Sequence, residues 1–366
     1  MRLALFIEHF HPAAGGAEGV AVAVVRGLLR RGHEIQVVAA AGEVVDGCGL
    51  RTVPRNRQAE AALDLAGAGW LTVDWGLAVP ARVHRLGGGL TRPFRRYNRH
   101  AKPQILRGLA WALDTFSPKR LVEYRIEREL VLQADTKLLA VSQFVADQVA
   151  EVAPAAVPRV TVLHNGVDIK RFSPAVREAS RAEMRHELGL PGDAVVFLML
   201  AHNPRLKNVG LALRLFHTLA RKHPGARLVV AGRHPSGAGQ PWLVEPGAVV
   251  APERLYAAAD VLLHPTYYDA CANVVLEGLA AGLPVVSSDR NGSAELITSG
   301  HDGFVLPVAG EAAAVRAQWW EIVRWLTEDA ALRERLGLAA RTLAEAHSFD
   351  RYLDDFEAFL LAAGRA

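Results

Sequence analysis

Two carboxylates in the stretch 264–286, HPTYYDACANVVLEGLAAGLPVV, stand at a spacing that can do chemistry: Asp269 and Glu277 are eight residues apart. The apolar run from Asn273 to Ala281 has helix length, and residues 284–286 read as a strand after it. Asp269 then falls in the loop ahead of the helix, and Glu277 about one turn inside it. A helix N-terminus carries unpaired backbone N–H groups and partial positive charge, so it favours an anion. An anion held by backbone and a polyol held by carboxylates together describe a nucleotide sugar.

A second group of candidates lies upstream. Arg205 and Lys207 fall between an apolar strand at 195–200 and a helix-period run at 209–222. That is the carboxyl edge of a strand in an open α/β sheet, where ligands bind. A pyrophosphate carries about two charges, and cations of this kind neutralise them.

The elements that position these residues alternate along the whole chain. Residues 3–7 read as a buried strand, Gly15 and Gly16 precede a helix-period run, Gly32 falls at a C-cap, and 33–39 is the next strand. The glycines do not form the G-x-G-x-x-G fingerprint, which argues against a dehydrogenase. Further strands are predicted at 70–73, 137–141 and 160–163, with helices at 104–116 and 118–133. Residues 164–174, HNGVDIKRFSP, carry turn chemistry and read as an interdomain linker. Beyond it the strands are 195–200, 227–230, 261–264 and 284–287, and the helices 209–222, 252–259, 273–281 and 293–298. The tail from 312 to 363 is helical by period, with Trp319, Trp320 and Trp325 as apolar bulk.

Two basic segments remain. Residues 82–86, RVHRL, followed by Gly87, Gly88 and Gly89, read either as a turn or as a binding surface. The stretch from Arg92 to Pro103, RPFRRYNRHAKP, reads either as a solvated face or as a contact with an anionic membrane, at about 1 kcal/mol per basic residue.

Composition sets the bounds. At 366 residues the chain exceeds the usual size of one hydrophobic core, so two domains are expected. A formal charge of +4 points weakly to anionic partners and leaves nucleic acid open. Cys48 and Cys271 are too few for a disulfide framework and too far apart for a metal cluster. The first apolar run is too short for a signal sequence, and no run reaches transmembrane length, so a cytoplasmic protein is expected.

Several segments in order, Gly15-Gly16-Ala17-Glu18, HNGVDIKRFSP, LKNVGLAL, LYAAADVLLHP, the acidic stretch and NGSAELITSGHDGFVL, resemble the retaining nucleotide-sugar glycosyltransferases of family four. Within that family the chain is most similar to the lipopolysaccharide core glucosyltransferases. The resemblance implies the GT-B architecture: two doubly wound α/β Rossmann-like domains facing a cleft. It implies an acceptor-binding domain over 1–172, a donor-binding domain over 173–346, and a terminal helix over 347–366 that returns to the first.

It also implies residue roles. Asp269, Lys207 and Arg205 are the catalytic candidates. Donor-binding residues are Gly15, Gly16, His202, Asn203, Arg205, Lys207, Gly232, Arg233, Asp269, Ala270, Cys271, Ala272, Asn273, Val274 and Glu277. Glu277 bonds the ribose hydroxyls and Asp269 the transferred sugar. His84, Arg85, Gly87 and Gly88 are candidates for the acceptor. The chain departs from the family pattern at Asp269, usually glutamate, at His202, the commonest arginine position, and at Asn291, usually glycine. Family members place a helix and a strand over 233–251, where this chain is expected to have only a short loop.

The function implied is retaining transfer of a hexose from a nucleotide-diphosphate sugar, UDP-sugar favoured, to a glycan or glycolipid acceptor. It would serve lipopolysaccharide core or cell-surface polysaccharide synthesis. No metal, cofactor or nucleic acid is expected, and the membrane contact would run from Arg92 to Lys102 on the inner face of the plasma membrane. Sugar-nucleotide epimerases, phosphorylase-like enzymes and non-catalytic sugar-nucleotide-binding proteins are the alternatives.

Overall fold

The computed structural model describes residues 1–11, 16–232, 239–249 and 251–365. Its contacts divide the chain into two compact units. The first comprises Met1–Arg95, Leu109–Asn165 and Asp350–Ala366, and the second comprises Arg96–Gly108 and Gly166–Phe349.

The first unit is built on a parallel sheet of β1 (Arg2–Phe10), β2 (Glu34–Gly42), β3 (Gly49–Thr52), β4 (Leu71–Asp74), β5 (Val83–Leu86), β6 (Lys137–Ala140) and β7 (Val160–Val162). The order is β3-β2-β1-β4-β5-β6-β7. Apolar runs such as 3–6 on β1 are buried on both faces, as parallel strands under helices require. The terminal helix Phe349–Arg365 lies against this unit: Phe356 packs edge-on to Trp75 at 6.0 Å, and Glu357 accepts from Arg31 and His33. A Cβ at Gly27 would collide with Leu353, so the first helix, Gly16–Arg30, meets it closely there.

Residues Val83–Leu86 form a buried strand, β5, so His84 and Arg85 do not lie in an open basic loop, and a turn at Gly87 and Gly88 follows it. Buried polar groups on it are tolerated where partners exist. His84 Nδ1 sits 3.0 Å from Asp74 Oδ2, and that carboxylate also accepts from Ala78 N at 2.8 Å and Val79 N at 3.3 Å.

The second unit carries β8 (Val195–Leu200), β9 (Ala226–Ala231), β10 (Leu243–Gly247), β11 (Val261–His264), β12 (Val285–Ser288) and β13 (Gly303–Leu306) in the order β10-β9-β8-β11-β12-β13, all parallel. Its core joins Phe197, Phe216, Trp242, Val286 and Trp319, and Trp319 Nε1 donates to Pro307 O at 2.8 Å. Of the three tail tryptophans only Trp319 is fully buried, while Trp325 is exposed. On the helix Pro174–Glu187, Arg181 and Arg185 converge on Asp260, whose Oδ2 accepts from Val196 N at 2.8 Å, tying the helix to β8 and the start of β11.

Three expectations change here. The expected loop over 233–251 contains β10, with Trp242 entering the core beside it, so an edge strand survives the shortening. The expected helix at 293–298 is a 3-10 turn, Gly292–Leu296. The linker expected over 164–174 is bonded to the second unit from Val167 on: Phe349 N donates to Val167 O at 2.8 Å, and Arg341 Nη1 donates to Ile169 O, Phe172 O and Ala280 O at 2.9, 3.1 and 2.8 Å. Residues Gly166–Phe349 therefore belong to the second unit.

Candidate active site of the second unit

Three strands end at one place on the carboxyl edge of the second sheet. β8 leads into the loop 201–208, β11 into the loop 265–272, and β12 into the turn 289–291. The helix Val209–Lys222 follows the first loop, and the helix Asn273–Ala280 follows the second.

The 265–272 loop is fixed by Thr266 within it and by side chains at the end of β12 and in the turn after it. Ser288 Oγ donates to Thr266 O at 2.6 Å, and Thr266 Oγ1 donates to Tyr268 O at 3.0 Å. Asp269 N donates to Arg290 O at 2.9 Å, and Gly292 N donates to Asp269 O at 3.0 Å. Asn291 locks the pair of loops: its Oδ1 accepts from Ala272 N and Ser293 N, both at 3.1 Å, while its Nδ2 donates to Ser287 Oγ at 3.0 Å. Glycine, the residue expected there from the resemblance, has no side chain to make these bonds.

Lys207 reaches this loop from the other side. Its backbone is held by Lys207 N donating to Asn203 O at 2.9 Å, and the neighbouring Leu206 O accepts from Tyr267 N at 2.8 Å. Its ammonium donates to Asp269 Oδ2, and His264 Nε2 lies 2.9 Å from the same oxygen. Burial by itself would push the Asp269 carboxyl up, but the Lys207 charge and the His264 contact outweigh it and hold the group well below the usual carboxylate range. His264 is buried at the end of β11, and burial pushes its pKa down. At neutral pH its ring is therefore uncharged and donates through Nε2–H, leaving Nδ1 as the acceptor nitrogen.

Glu277 occupies separate surroundings. Tyr256 OH donates to its Oε2 at 2.6 Å, and burial raises the Glu277 pKa. The bond engages one of the two carboxylate oxygens.

The other sequence candidates are distributed as follows. Arg205, His202 and Asn203 are exposed on the 201–208 loop, and Asn203 Oδ1 accepts from Leu206 N at 3.2 Å. Gly232 abuts the end of β8, where a Cβ would collide with Ala201 O. Ala270, Cys271 and Ala272 are buried and lead to Asn273 and Val274 in the first turn of the helix. Gly16 has φ of 62°, the left-handed region that favours glycine. His84 and Arg85 are buried on β5, Gly87 is half-buried and Gly88 exposed. Gly15 and Arg233 lie outside the described residues.

Sequence reasoning missed two parts of this site. His264 stands in the opening stretch, but only the register of β11 brings it to Asp269. Residues 96–108, counted with the first half by sequence, belong to the second unit. Tyr97 stacks on Tyr268 at 5.8 Å, the Arg290 guanidinium lies 4.9 Å over Tyr97, and His100 stacks on Tyr267 at 6.1 Å. The aromatic residues interleaved in the basic stretch were the available signal.

Residues 193–320 match the family model of the Glycosyl transferases group 1, which lies wholly in the second unit. The chain is 28% identical over 243 residues to spore coat protein SA of Bacillus subtilis (strain 168), covering 60% of this chain and 63% of that protein. It is 31% identical over 245 residues to the D-inositol 3-phosphate glycosyltransferase of Streptomyces avermitilis, covering 61% of this chain and 51% of that one. The chain thus spans from about half to just under two thirds of these relatives' length.

Among solved structures it resembles WaaG, a glycosyltransferase involved in lipopolysaccharide biosynthesis, with a TM-score of 0.81 at 19% identity over 98% of this chain and 99% of that one. It also resembles Anabaena Alr3699/HepE in complex with UDP-glucose, with a TM-score of 0.72 at 15% identity over 99% of this chain and 100% of that one. At such identities the likeness speaks for the fold. The fold is GT-B, with two Rossmann-like α/β domains.

Proposed function

We propose that this protein is a retaining glycosyltransferase that moves a hexose from a nucleotide-diphosphate sugar, UDP-sugar favoured, to a glycan or glycolipid acceptor, without a metal ion. The observation that carries the reading is the Lys207–Asp269–His264 cluster at the carboxyl edge, one turn ahead of the helix Asn273–Ala280. The group 1 match over the same residues and the neighbours' UDP and UDP-glucose complexes support it.

In this reading the donor diphosphate lies at the N-terminal end of the helix, where backbone N–H groups and the helix dipole favour negative charge. Lys207 and the exposed Arg205 answer the charge that develops as the sugar–phosphate bond breaks, the point at which electrostatic stabilisation counts most. Asp269 Oδ2 is engaged by Lys207 and His264, so Oδ1 is the oxygen that meets a sugar hydroxyl. Neutral His264 aims the carboxylate without adding a second charge to it. Glu277 takes the ribose hydroxyls through the oxygen not bound by Tyr256. The departing phosphate receives the acceptor's proton, and no protein base is required.

Acceptors belong to lipopolysaccharide core or cell-surface polysaccharide synthesis, with the enzyme cytoplasmic and peripheral on the inner face of the plasma membrane. Among the described residues no helix is long and apolar enough to cross a membrane. The basic contact from Arg92 to Lys102 is continued by exposed Ile105, Leu106, Leu109 and Trp111 on the helix Gln104–Phe116, so charge and apolar side chains both face outward.

The deciding measurement is a thermal-shift panel of UDP, GDP, ADP and their sugars, with and without EDTA. A ligand at a hundred times its dissociation constant adds about 2.7 kcal/mol of stability. UDP and a UDP-hexose are expected to raise Tm whether or not EDTA is present. Absence of a shift with every nucleotide would sink the reading, and a shift abolished by EDTA would remove its metal-independence.

A further inference from the structure

The first unit holds a buried cation without a counter-ion. Arg85 is 2% exposed, and among the described residues no carboxylate pairs with it. Its Nη2 donates to Asn165 Oδ1 at 2.6 Å, while Nε and Nη1 are buried with no acceptor. The Trp75 ring lies against the guanidinium, 4.4 Å from Cζ to centroid, and is itself anchored by Nε1–H to Ala17 O at 3.2 Å. The cation is therefore held in place by a ring and one amide, and two of its three nitrogens lack a partner.

Buried N–H groups are nearly always paired, and a buried charge is paired or strongly destabilising. His84, the preceding residue on β5, meets this rule on Nδ1, which faces Asp74, although its Nε2 is also buried with no partner among the described residues. Arg85 does not. A water molecule would satisfy an N–H but leave the charge uncompensated, whereas an oxyanion answers both, through charge-assisted hydrogen bonds. The approach is set by the glycine turn that follows β5. A Cβ at Gly87 would collide with Nη1, so any larger residue there would require the guanidinium to shift, and Gly88 beside it is exposed.

We propose that Arg85 is the floor of an oxyanion site in the first unit, taking a phosphate or carboxylate group of the acceptor through Nη1, with the Gly87–Gly89 turn as its entrance. That the anion is carried by the acceptor rests on the glycosyl-transfer reading. The anion site itself does not.

The test uses the full chain in a Lys207→Ala background, which weakens anion binding at the second unit's site, while the Arg85 resonance reports the first unit's site alone and so keeps the outcome independent of the donor reading. Inorganic phosphate and acetate are titrated at constant ionic strength, followed by calorimetry and by the Nε–H resonance of Arg85. Saturable binding of phosphate or acetate that shifts this resonance is expected, and Arg85→Met should weaken it by about thirtyfold or more. The tighter of the two probes tells a phosphate-bearing acceptor from a carboxylate-bearing one. An Arg85 resonance unmoved by both anions across the millimolar range, as a trapped water would leave it, overturns the proposal. So does unaltered anion affinity in Arg85→Met. Should Arg85→Met not fold, the resonance decides alone.

Discussion

Replacing Lys207 with alanine tests the core of the site because three groups respond to one change. Lys207 and Asp269 side chains are 19% and 22% exposed, so their contact is neither a surface pair nor fully buried. Removing one partner of a hydrogen-bonded charge pair out of solvent costs about 2 to 5 kcal/mol, and partial exposure favours the lower half of that range. At about 1.36 kcal/mol per decade the lower and upper limits correspond to roughly thirtyfold and several thousandfold in kcat/KM. The assay is release of UDP from a UDP-hexose, in the presence of acceptor or, without one, as slow hydrolysis.

The same substitution has an electrostatic signature. With the ammonium gone, burial of Asp269 is opposed by His264 alone, so the Asp269 pKa rises from its depressed value. The His264 pKa rises too, because Lys207 is one of the charges that lower it. Both shifts are readable by NMR titration. A depressed carboxylate stabilises the fold above its unfolded pKa and loses that contribution as pH falls through the folded one. The parent should therefore keep stability at low pH that Lys207→Ala has lost. Turnover within twofold of the parent, with the Asp269 titration unmoved, would refute the assignment of Lys207 both as phosphate ligand and as keeper of Asp269.

Four other outcomes are expected. Asp269→Glu, one methylene longer, should change the preference among UDP-hexoses more than the affinity for UDP, and the reverse in a competition assay would exchange the roles of Asp269 and Glu277. Tyr97→Ala removes stacking worth about 0.5 to 1.5 kcal/mol from Tyr268, beside Asp269; Tm and kcat should fall while UDP affinity holds, and an unchanged kcat would show that the stack does not steady the loop. Glu277 has a raised folded pKa, so its contribution to stability is full below the unfolded pKa and is lost as pH rises through the folded one; Glu277→Gln should be spared that loss in denaturant melts between pH 4 and 8, and parallel curves would contradict it. Arg92→Glu with Arg96→Glu reverses two exposed charges, whose loss alone is about 1 kcal/mol each, lowering affinity for anionic vesicles in cosedimentation by roughly thirtyfold or more; unaltered sedimentation would take the segment out of membrane contact. Arg95 is omitted from that pair because it is tied to Glu123 at 2.6 Å.

The amino-acid sequence by itself determined the alternation of strand and helix, because parallel strands buried on both faces must be short unbroken apolar runs, and the helices between them show their period locally. It also determined that Asp269 precedes and Glu277 lies on the helix Asn273–Ala280, since eight residues of spacing translate directly into position along one element. The strand Val83–Leu86 was not legible in this way. Its His84 and Arg85 look like a surface loop until Asp74 and Asn165 are brought to them across the fold. Tertiary structure alone paired His264 with Asp269, set Tyr97 on Tyr268, and left Arg85 without a counter-ion among the described residues. Each depends on register or on residues far apart in the chain. A side chain's charge state and purpose follow from what surrounds it, and a local pattern records only what precedes and follows.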